Sequence, residues 1–238
     1  MSVFAICVVL GLFLSPQDTI SLCEQEVYAQ DLSRFSAGQK TIQWKAADLK
    51  DFSGNSLADL LKADSPIFLR EYGPGQLASP SFRGTSAGHT AVFWNGIPIN
   101  SPSLGQSDLS ILPIAALDQV DLRFGSTGAL YGNEAIGGSI HLETKPIFSS
   151  GFKGSIGQTF GSFGQFETNV KAQFSTKKLY SKTSFYIQNA ENDFLYKDLG
   201  QMGTPVRRQE QAGFSQRGAT QDLAWQINSK SLLKSSLW

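Results

Sequence analysis

Residues 81–144 read SFRGTSAGHTAVFWNGIPINSPSLGQSDLSILPIAALDQVDLRFGSTGALYGNEAIGGSIHLET, and this stretch decides the fold. Its clearest local signal is Asn95-Gly96, which stands between two apolar runs. An Asn-Gly pair in this setting predicts a two-residue type I′ hairpin turn, because that turn needs positive φ at both central residues. Pro98 has no N–H to donate to a sheet, so we expect the second arm of the hairpin to be short or to lie at an edge.

Five glycines follow in the second half of this stretch, at positions 125, 128, 132, 137 and 138. Glycine tolerates positive φ and lets two backbones approach closely. A nucleotide-binding loop is excluded, because no Lys-Ser or Lys-Thr follows at Walker spacing and no GxGxxG opens a helix after a strand. We therefore expect these glycines to pack closely against a surrounding wall.

The domain around this stretch, residues 30–148, is predicted to be α+β. The leucines of residues 57–61 share one helical face, and Asn55 or Ser56 can cap that helix. Pro66 is expected to end it. Alternation of apolar and polar residues predicts strands at 120–124 and 139–144. The signals together predict a small mixed sheet with two or three short helices.

The second region, residues 149–238, changes to a period of two. Apolar and polar residues alternate at 166–175, 179–188 and 222–227, and more weakly at 152–160. This dyad pattern is typical of antiparallel transmembrane β-barrel strands, with lipid on one side and water on the other. Short turns are expected at 175–178 and 228–231, and one long polar loop at 189–216. A soluble β-sandwich also alternates, so the strands alone leave that alternative open.

The N-terminus and the overall composition limit the other possibilities. Residues 3–14 form an apolar run too short to span a bilayer, and cleavage after Ala29 would make residues 1–29 a signal peptide; a buried N-terminal strand is the alternative. Removal of that segment would take Cys7 and Cys23 with it, leaving no thiol for a disulfide or a metal site. The net charge of zero gives no support to nucleic-acid binding.

Several motifs of this chain resemble the plug domain of TonB-dependent outer-membrane receptors, in particular the cobalamin and siderophore branch. The motifs occur in the family's order: Ser56–Lys62, Phe82-Arg83-Gly84, Asn95-Gly96-Ile97, Ala129–Gly132 and Ala135–Gly138. The chain departs from the family in having Asn95 where Asp is usual, and Phe124-Gly125-Ser126 where Arg-Gly-Pro is usual. It also shows no convincing TonB box between the cleavage site and the first strand.

The resemblance implies active import of a scarce ligand across the outer membrane, of cobalamin or ferric-siderophore type. Its implied partners are the TonB energy-transducing complex, outer-membrane lipid and the ligand itself. A non-transporting binding or signalling module, or an inactive fragment, is the alternative. Plugged barrels of this kind have about 22 strands, whereas residues 149–238 have room for four and the start of a fifth. We therefore expect an incomplete barrel and an N-terminal fragment of a longer reading frame.

Two loops, 72–79 and 100–106, match the family's apical ligand loops by position. Ordinary solvated loops would have a similar polar sequence and are the alternative. The candidate ligand-binding residues are Tyr72, Gln76, Ser79, Asn100, Ser101, Ser103 and Gln106. The residues assigned to the structural plug motifs are Arg83, Gly84, Asn95, Gly96, Gly125, Tyr131, Gly132, Gly137 and Gly138. Arg83 is a candidate for a buried plug–barrel contact or for an ordinary surface salt bridge.

Enzymatic chemistry has one weak signal. Residues 84–88 match the G-x-S-x-G nucleophile elbow around Ser86, and Asp118, Asp121 and His141 follow in hydrolase order. That elbow needs a helix after the serine, whereas the residues after Gly88 predict a strand. His89 and His141 are not spaced as metal ligands. We expect no catalytic residue, no metal and no cofactor.

Overall fold

The computed structural model describes residues 39–125 and 131–238. The predicted signal peptide, the start of the predicted domain at residue 30, and Gly128, Ala129 and Leu130 of the plug motifs lie outside these residues. Within the described ranges, no helix is both long and apolar enough to cross a bilayer.

The first part of the described chain holds seven strands and two short α-helices. The strands are β1 (Thr41–Lys45), β2 (Phe68–Glu71), β3 (Ala78–Ser81), β4 (Thr90–Trp94), β5 (Ile97–Pro98), β6 (Gln119–Phe124) and β7 (Gly138–Glu143), and the helices are α1 (Ala46–Leu49) and α2 (Leu57–Asp64). Five strands form one mixed sheet in the order β1-β6-β7-β4-β5, in which only β4 and β7 are parallel, and β2 pairs with β3. The predicted small mixed sheet with short helices is confirmed.

The hairpin around Asn95-Gly96 forms as predicted. Asn95 has φ of 49° and Gly96 has φ of 85°, the two positive values that a type I′ turn requires. The second arm, β5, pairs through only two residues and lies at the edge of the sheet. The missing N–H of Pro98 explains why the ladder stops there.

Helix α2 supplies much of the core beneath the sheet. Ser56 caps it: the Ser56 side chain accepts from the Asp59 amide, and the Asp59 carboxylate accepts from the Ser56 amide in return. Leu57, Leu60 and Leu61 are fully buried in the main hydrophobic cluster. The helix ends at Asp64, two residues before Pro66.

The glycine prediction is correct about close approach and wrong about the partner. A Cβ on Gly138 would lie 2.6 Å from a ring carbon of Phe82 and 2.7 Å from the Arg123 carbonyl oxygen, and one on Gly137 would meet Thr85. These neighbours belong to the same domain and not to a surrounding wall. Gly125 and Gly132 instead face open space, with φ of 95° and 90°, which ordinary side chains rarely adopt.

The second part of the chain forms a five-stranded antiparallel sheet, here called the wall. Its strands are β8 (Gly151–Phe160), β9 (Phe166–Ser175), β10 (Leu179–Ala190), β13 (Phe214–Gln226) and β14 (Leu232–Leu237), and a small hairpin, β11 (Leu195–Lys197) with β12 (Val206–Arg208), lies between β10 and β13. Because β13 begins at Phe214, the long loop is shorter than the predicted 189–216, and part of it is this hairpin. The wall strands do not close into a cylinder within the described residues.

The two faces of the wall differ in polarity. The outer face is exposed and mainly apolar, with Phe152, Ile156, Phe174 and Trp225 among its side chains. The inner face is polar and covered by the first domain, and its buried side chains include Glu167, Asn169, Ser175, Lys182, Ser184, Thr220 and Asp222. The predicted dyad pattern is confirmed, and the covered polar face brings the two parts together.

Candidate functional site

The middle strand of the wall, β10, holds the first domain through a buried ion pair, here called the central clamp. Lys182, whose side chain is 1 % exposed, donates to the Asp118 carboxylate at 2.8 Å and to the Ala116 carbonyl at 3.0 Å. The other oxygen of Asp118 accepts from the Lys145 amide at 3.0 Å. One carboxylate therefore joins the sheet, the wall and the segment that connects them.

A second contact forms at the tip of the Asn95-Gly96 hairpin and is here called the hairpin contact. The Asn95 amide nitrogen donates to the hydroxyls of Thr144 and Ser236, at 2.8 and 2.9 Å. Both hydroxyls also donate to Asp222 Oδ1, at 3.2 and 2.7 Å. Beside this network, the rings of Trp94 and Trp238 stack with centroids 5.7 Å apart and planes at 7°.

An open cavity of about 450 Å³, here called the outer cavity, lies where the wall strands carry the long loop. The loop between β2 and β3 forms one side, and the Gln216 side chain donates to its Gly75 carbonyl at 3.1 Å. Lys62 and Glu71 form an ion pair of 2.6 Å at its rim. The other polar side chains that line it are Asn55, Ser56, Asp59, Gln76, Ser110, Gln165, Gln188 and Asn192. A lining rich in carboxamides can donate to and accept from a polar ligand.

The loop at 72–79 brings one of its three predicted ligand residues to the outer cavity. Gln76 lines the outer cavity, and Tyr72 is exposed beside it. Ser79 does not lie in an exposed loop, because it is 2 % exposed and pairs with Arg70 in the β2–β3 ladder. Its placement among the ligand-binding residues is therefore wrong.

The loop at 100–106 lines no part of the outer cavity. Asn100 uses its whole amide to hold this loop: Oδ1 accepts from the Val92 amide and the Ser107 hydroxyl, and Nδ2 donates to the carbonyls of Thr90 and Gly105. Its role is structural, which corrects the prediction that it binds ligand. Ser101 and Ser103 contact each other at 3.1 Å, and the Gln106 carbonyl accepts from the Ser101 amide.

Sequence reasoning missed most of the residues that line the outer cavity. Asn55 and Asp59 come from the start of α2, and Gln188, Asn192 and Phe214 come from the ends of the wall strands. No local motif marks them, because their positions depend on how the first domain packs against the wall. The polar period-two residues at strand ends were the one available signal for the wall side.

The plug motif around Arg83 forms a turn, not a buried contact. Arg83 and Gly84 have φ of 50° and 81°, and the Thr85 amide donates to the Phe82 carbonyl at 2.9 Å. The Phe82 ring is fully buried, whereas Arg83 is exposed and forms no salt bridge with the described residues. Neither predicted role of Arg83 is observed in this part of the chain.

Tyr131 and His141 lie together on the sheet face opposite the main core. The Arg123 guanidinium donates to the Tyr131 hydroxyl, and the His141 ring stacks on Phe93 at 5.0 Å. His141 Nε2 lies 2.9 Å from the Ser139 hydroxyl. Burial, and then the positive charge of Arg123, lower the pKa of His141 to about 4.

The residues of the hydrolase alternative do not assemble. Ser86 contacts His89 at 3.1 Å, not His141, and a three-residue 3-10 helix and then β4 follow it where the elbow needs an α-helix. Asp118 belongs to the central clamp, and the Asp121 carboxylate accepts from two glutamines. Residues 39–125 and 131–238 also contain no cluster of three or more metal-ligating side chains.

The fold and these contacts define a class: a plug domain docked on the polar inner face of an open sheet of outer-membrane barrel type. Residues 33–139 match the family model of the TonB-dependent receptor plug domain. This part of the chain is therefore a plug domain of the TonB-dependent receptor type, and the first domain, with its sheet, helices and loops ahead of the wall, is called the plug from here on.

Individual relatives agree with this assignment. The vitamin B12 transporters BtuB of Vibrio vulnificus and Photobacterium profundum are 36% and 33% identical over 101 and 97 residues, which is 42% and 41% of this chain. The chain spans about a sixth of the length of these curated relatives, 16% in each case.

Solved structures show the same fold at low sequence identity. The pyoverdine receptor FpvA of Pseudomonas aeruginosa PAO1 matches with a TM-score of 0.64 and 18% identity, over 83% of this chain and 27% of that one. The ferric yersiniabactin receptor FyuA of Yersinia pestis matches with 0.60 and 19%, over 79% and 29%.

Proposed function

We propose that this chain acts in the import of a cobalamin- or ferric-siderophore-type ligand across the outer membrane, driven through TonB. The observation that carries the proposal is the plug docked on a polar inner wall whose opposite face is apolar. An apolar outer face with a polar inner face suits strands that stand between lipid and a filled lumen. BtuB relatives that transport vitamin B12 support the cobalamin class.

The same proposal includes the boundaries and the location of the chain. Residues 1–29 would direct export as a signal peptide, 30–148 would form the plug, and 149–238 would lie in the outer membrane against lipid. N-terminal sequencing of the exported protein should begin at Gln30, and a retained Met1 would contradict the signal peptide. Coupling to TonB is proposed for the chain as a whole and is not assigned to particular residues.

The ligand site that we propose is the outer cavity, with Gln76 of the plug and Gln188 of the wall as hydrogen-bonding residues. Tyr72, Ser101, Ser103 and Gln106 stay candidates on the plug loops. A neutral hydrogen bond contributes about 1 kcal/mol. The double change Gln76→Ala/Gln188→Ala should therefore weaken ligand binding by roughly 10-fold or more.

Uptake measurements test the function directly. Radiolabelled vitamin B12 and ferric enterobactin would be supplied to a Gram-negative host that lacks its own receptors for both, with and without TonB. We expect TonB-dependent accumulation of one of them. Binding without accumulation would instead favour a non-transporting binding or signalling module, and absence of binding to either would contradict the ligand class.

A matched control is available on the outer face of the wall. Gln158 donates to the Thr168 hydroxyl there and lies away from the outer cavity. Gln158→Ala should leave ligand affinity unchanged, measured by equilibrium binding to the purified receptor in detergent. Equal losses in Gln158→Ala and in the cavity variant would contradict the placement of the site.

A further inference from the structure

A second cavity of about 260 Å³, here called the inner cavity, lies along the same seam between plug and wall. Ser53 and Asp118 of the plug line it, with Ser155, Asn169 and Lys171 of the wall. The wall residues are nearer to the short-turn end of the strands than those of the outer cavity are. The two cavities therefore follow one another along the seam.

A narrow contact, here called the neck, separates them. In strand order, Thr159 of β8 and Glu167 of β9 stand between the residues that line the two cavities, and they are paired across the ladder. Gly54 packs directly against them, so that a Cβ on Gly54 would overlap the Thr159 hydroxyl and lie 3.7 Å from Glu167 Oε2. A side chain at position 54 would therefore have to displace the Thr159 side chain.

The plug and the wall are held together more weakly at the neck than at the central clamp. A long hydrogen bond of 3.4 Å joins the Asn169 side chain to the Ser53 carbonyl. Glu167 is 4 % exposed, yet its Oε2 has no hydrogen-bond partner among the described residues, so closing the neck leaves a buried polar atom unsatisfied. The plug side is only a 3-10 turn, Lys50–Phe52, followed by turns. The central clamp, by contrast, is a buried ion pair of 2.8 Å.

We propose that the neck is a gate, and that ligand passes from the outer to the inner cavity when the segment 50–55 moves away from the wall while the central clamp stays closed. The proposal rests on the import function proposed above. It assigns Gly54, Thr159 and Glu167 a role in passage that is separate from ligand binding. Opening would also expose Glu167 Oε2 to water and so remove the cost of its burial.

A reversible disulfide tests the gate. The Cβ position of Gly54 lies 3.3 Å from Thr159 Cβ, close to the separation of about 3.5–4.5 Å in disulfides, and Gly54 does not have a left-handed φ. The double variant Gly54→Cys/Thr159→Cys would be made with Cys7 and Cys23 replaced by Ser, so that no other thiol is present. Oxidation should reduce vitamin B12 or ferric enterobactin uptake at least 10-fold, reduction should restore it, and surface binding should not change.

Two controls separate closure of the neck from a general effect of cross-linking. Ser150 and Ser175, whose hydroxyls lie 2.7 Å apart, give a disulfide at the wall that leaves the neck free, and uptake should persist when it is oxidised. A short bifunctional thiol reagent on Thr144→Cys/Ser236→Cys would tether the hairpin contact, and uptake should persist there also. Persistent uptake in the oxidised neck variant, or equal loss with the hairpin tether, would overturn the gate. No uptake by the unmodified receptor would contradict the import function itself.

Discussion

The central clamp gives the sharpest prediction about stability, because its two partners differ in exposure. Lys182 is 1 % exposed and Asp118 is 22 % exposed. Asp118→Ala would leave a buried ammonium with only the Ala116 carbonyl, and breaking a buried pair in this way costs about 3–5 kcal/mol. Lys182→Ala would leave a carboxylate that water reaches and that still accepts from the Lys145 amide, so we expect a smaller loss of about 1–2 kcal/mol.

The asymmetry can be measured by guanidinium unfolding in detergent micelles, followed by tryptophan fluorescence. The double variant Asp118→Leu/Lys182→Met removes both charges, and it should recover most of the loss caused by Asp118→Ala, because neither charge is then left buried alone. Equal losses in the two single variants, or a double variant less stable than Asp118→Ala, would refute the reasoning that burial of the unpaired Lys182 sets the cost.

Three further predictions concern the plug. Gly138→Ala should lower the free energy of unfolding by about 1–3 kcal/mol, because the new methyl group meets a buried ring and a backbone carbonyl; Gly154→Ala, whose nearest neighbours are at 3.6 Å, should cost much less in the same assay. His141 has a pKa of about 4 in the fold against an ordinary 6.5, so the unfolded chain binds the proton at higher pH. Stability should therefore fall as the pH drops from 6.5 towards 4, by up to about 3 kcal/mol, and His141→Gln should remove that slope in unfolding titrations. Asn95→Asp should lose about 1–2 kcal/mol in denaturant titration at pH 7, since a carboxylate cannot donate the two side-chain hydrogen bonds of the hairpin contact; an unchanged midpoint would contradict that role.

Local sequence patterns predicted the structural features that depend only on neighbouring residues. The Asn95-Gly96 turn follows from two residues with positive φ. The cap of α2 was predicted at Asn55 or Ser56, and the structure uses Ser56. The period of two in the wall follows from its two faces. Each of these features depends on neighbouring residues only, so local sequence predicted where it would form.

Features that depend on docking could not be predicted in this way. Lys182 and Asp118 are 64 positions apart, and nothing near either one marks it as a partner of the other. The prediction that the glycines pack against a surrounding wall was wrong for the same reason. Phe82 and Arg123, both within the plug, occupy the space beside Gly138. The outer cavity is likewise lined by residues of α2 and of strand ends, which come together only in the folded chain.

The stacked rings of Trp94 and Trp238 have an optical consequence. Two indoles with centroids 5.7 Å apart couple their electronic transitions, so the pair should give its own circular-dichroism signal in the ultraviolet. Since one ring belongs to the hairpin of the plug and the other to the wall, that signal should vanish whenever the hairpin separates from the wall. The chain thus carries a built-in, label-free reporter for this junction, readable in real time.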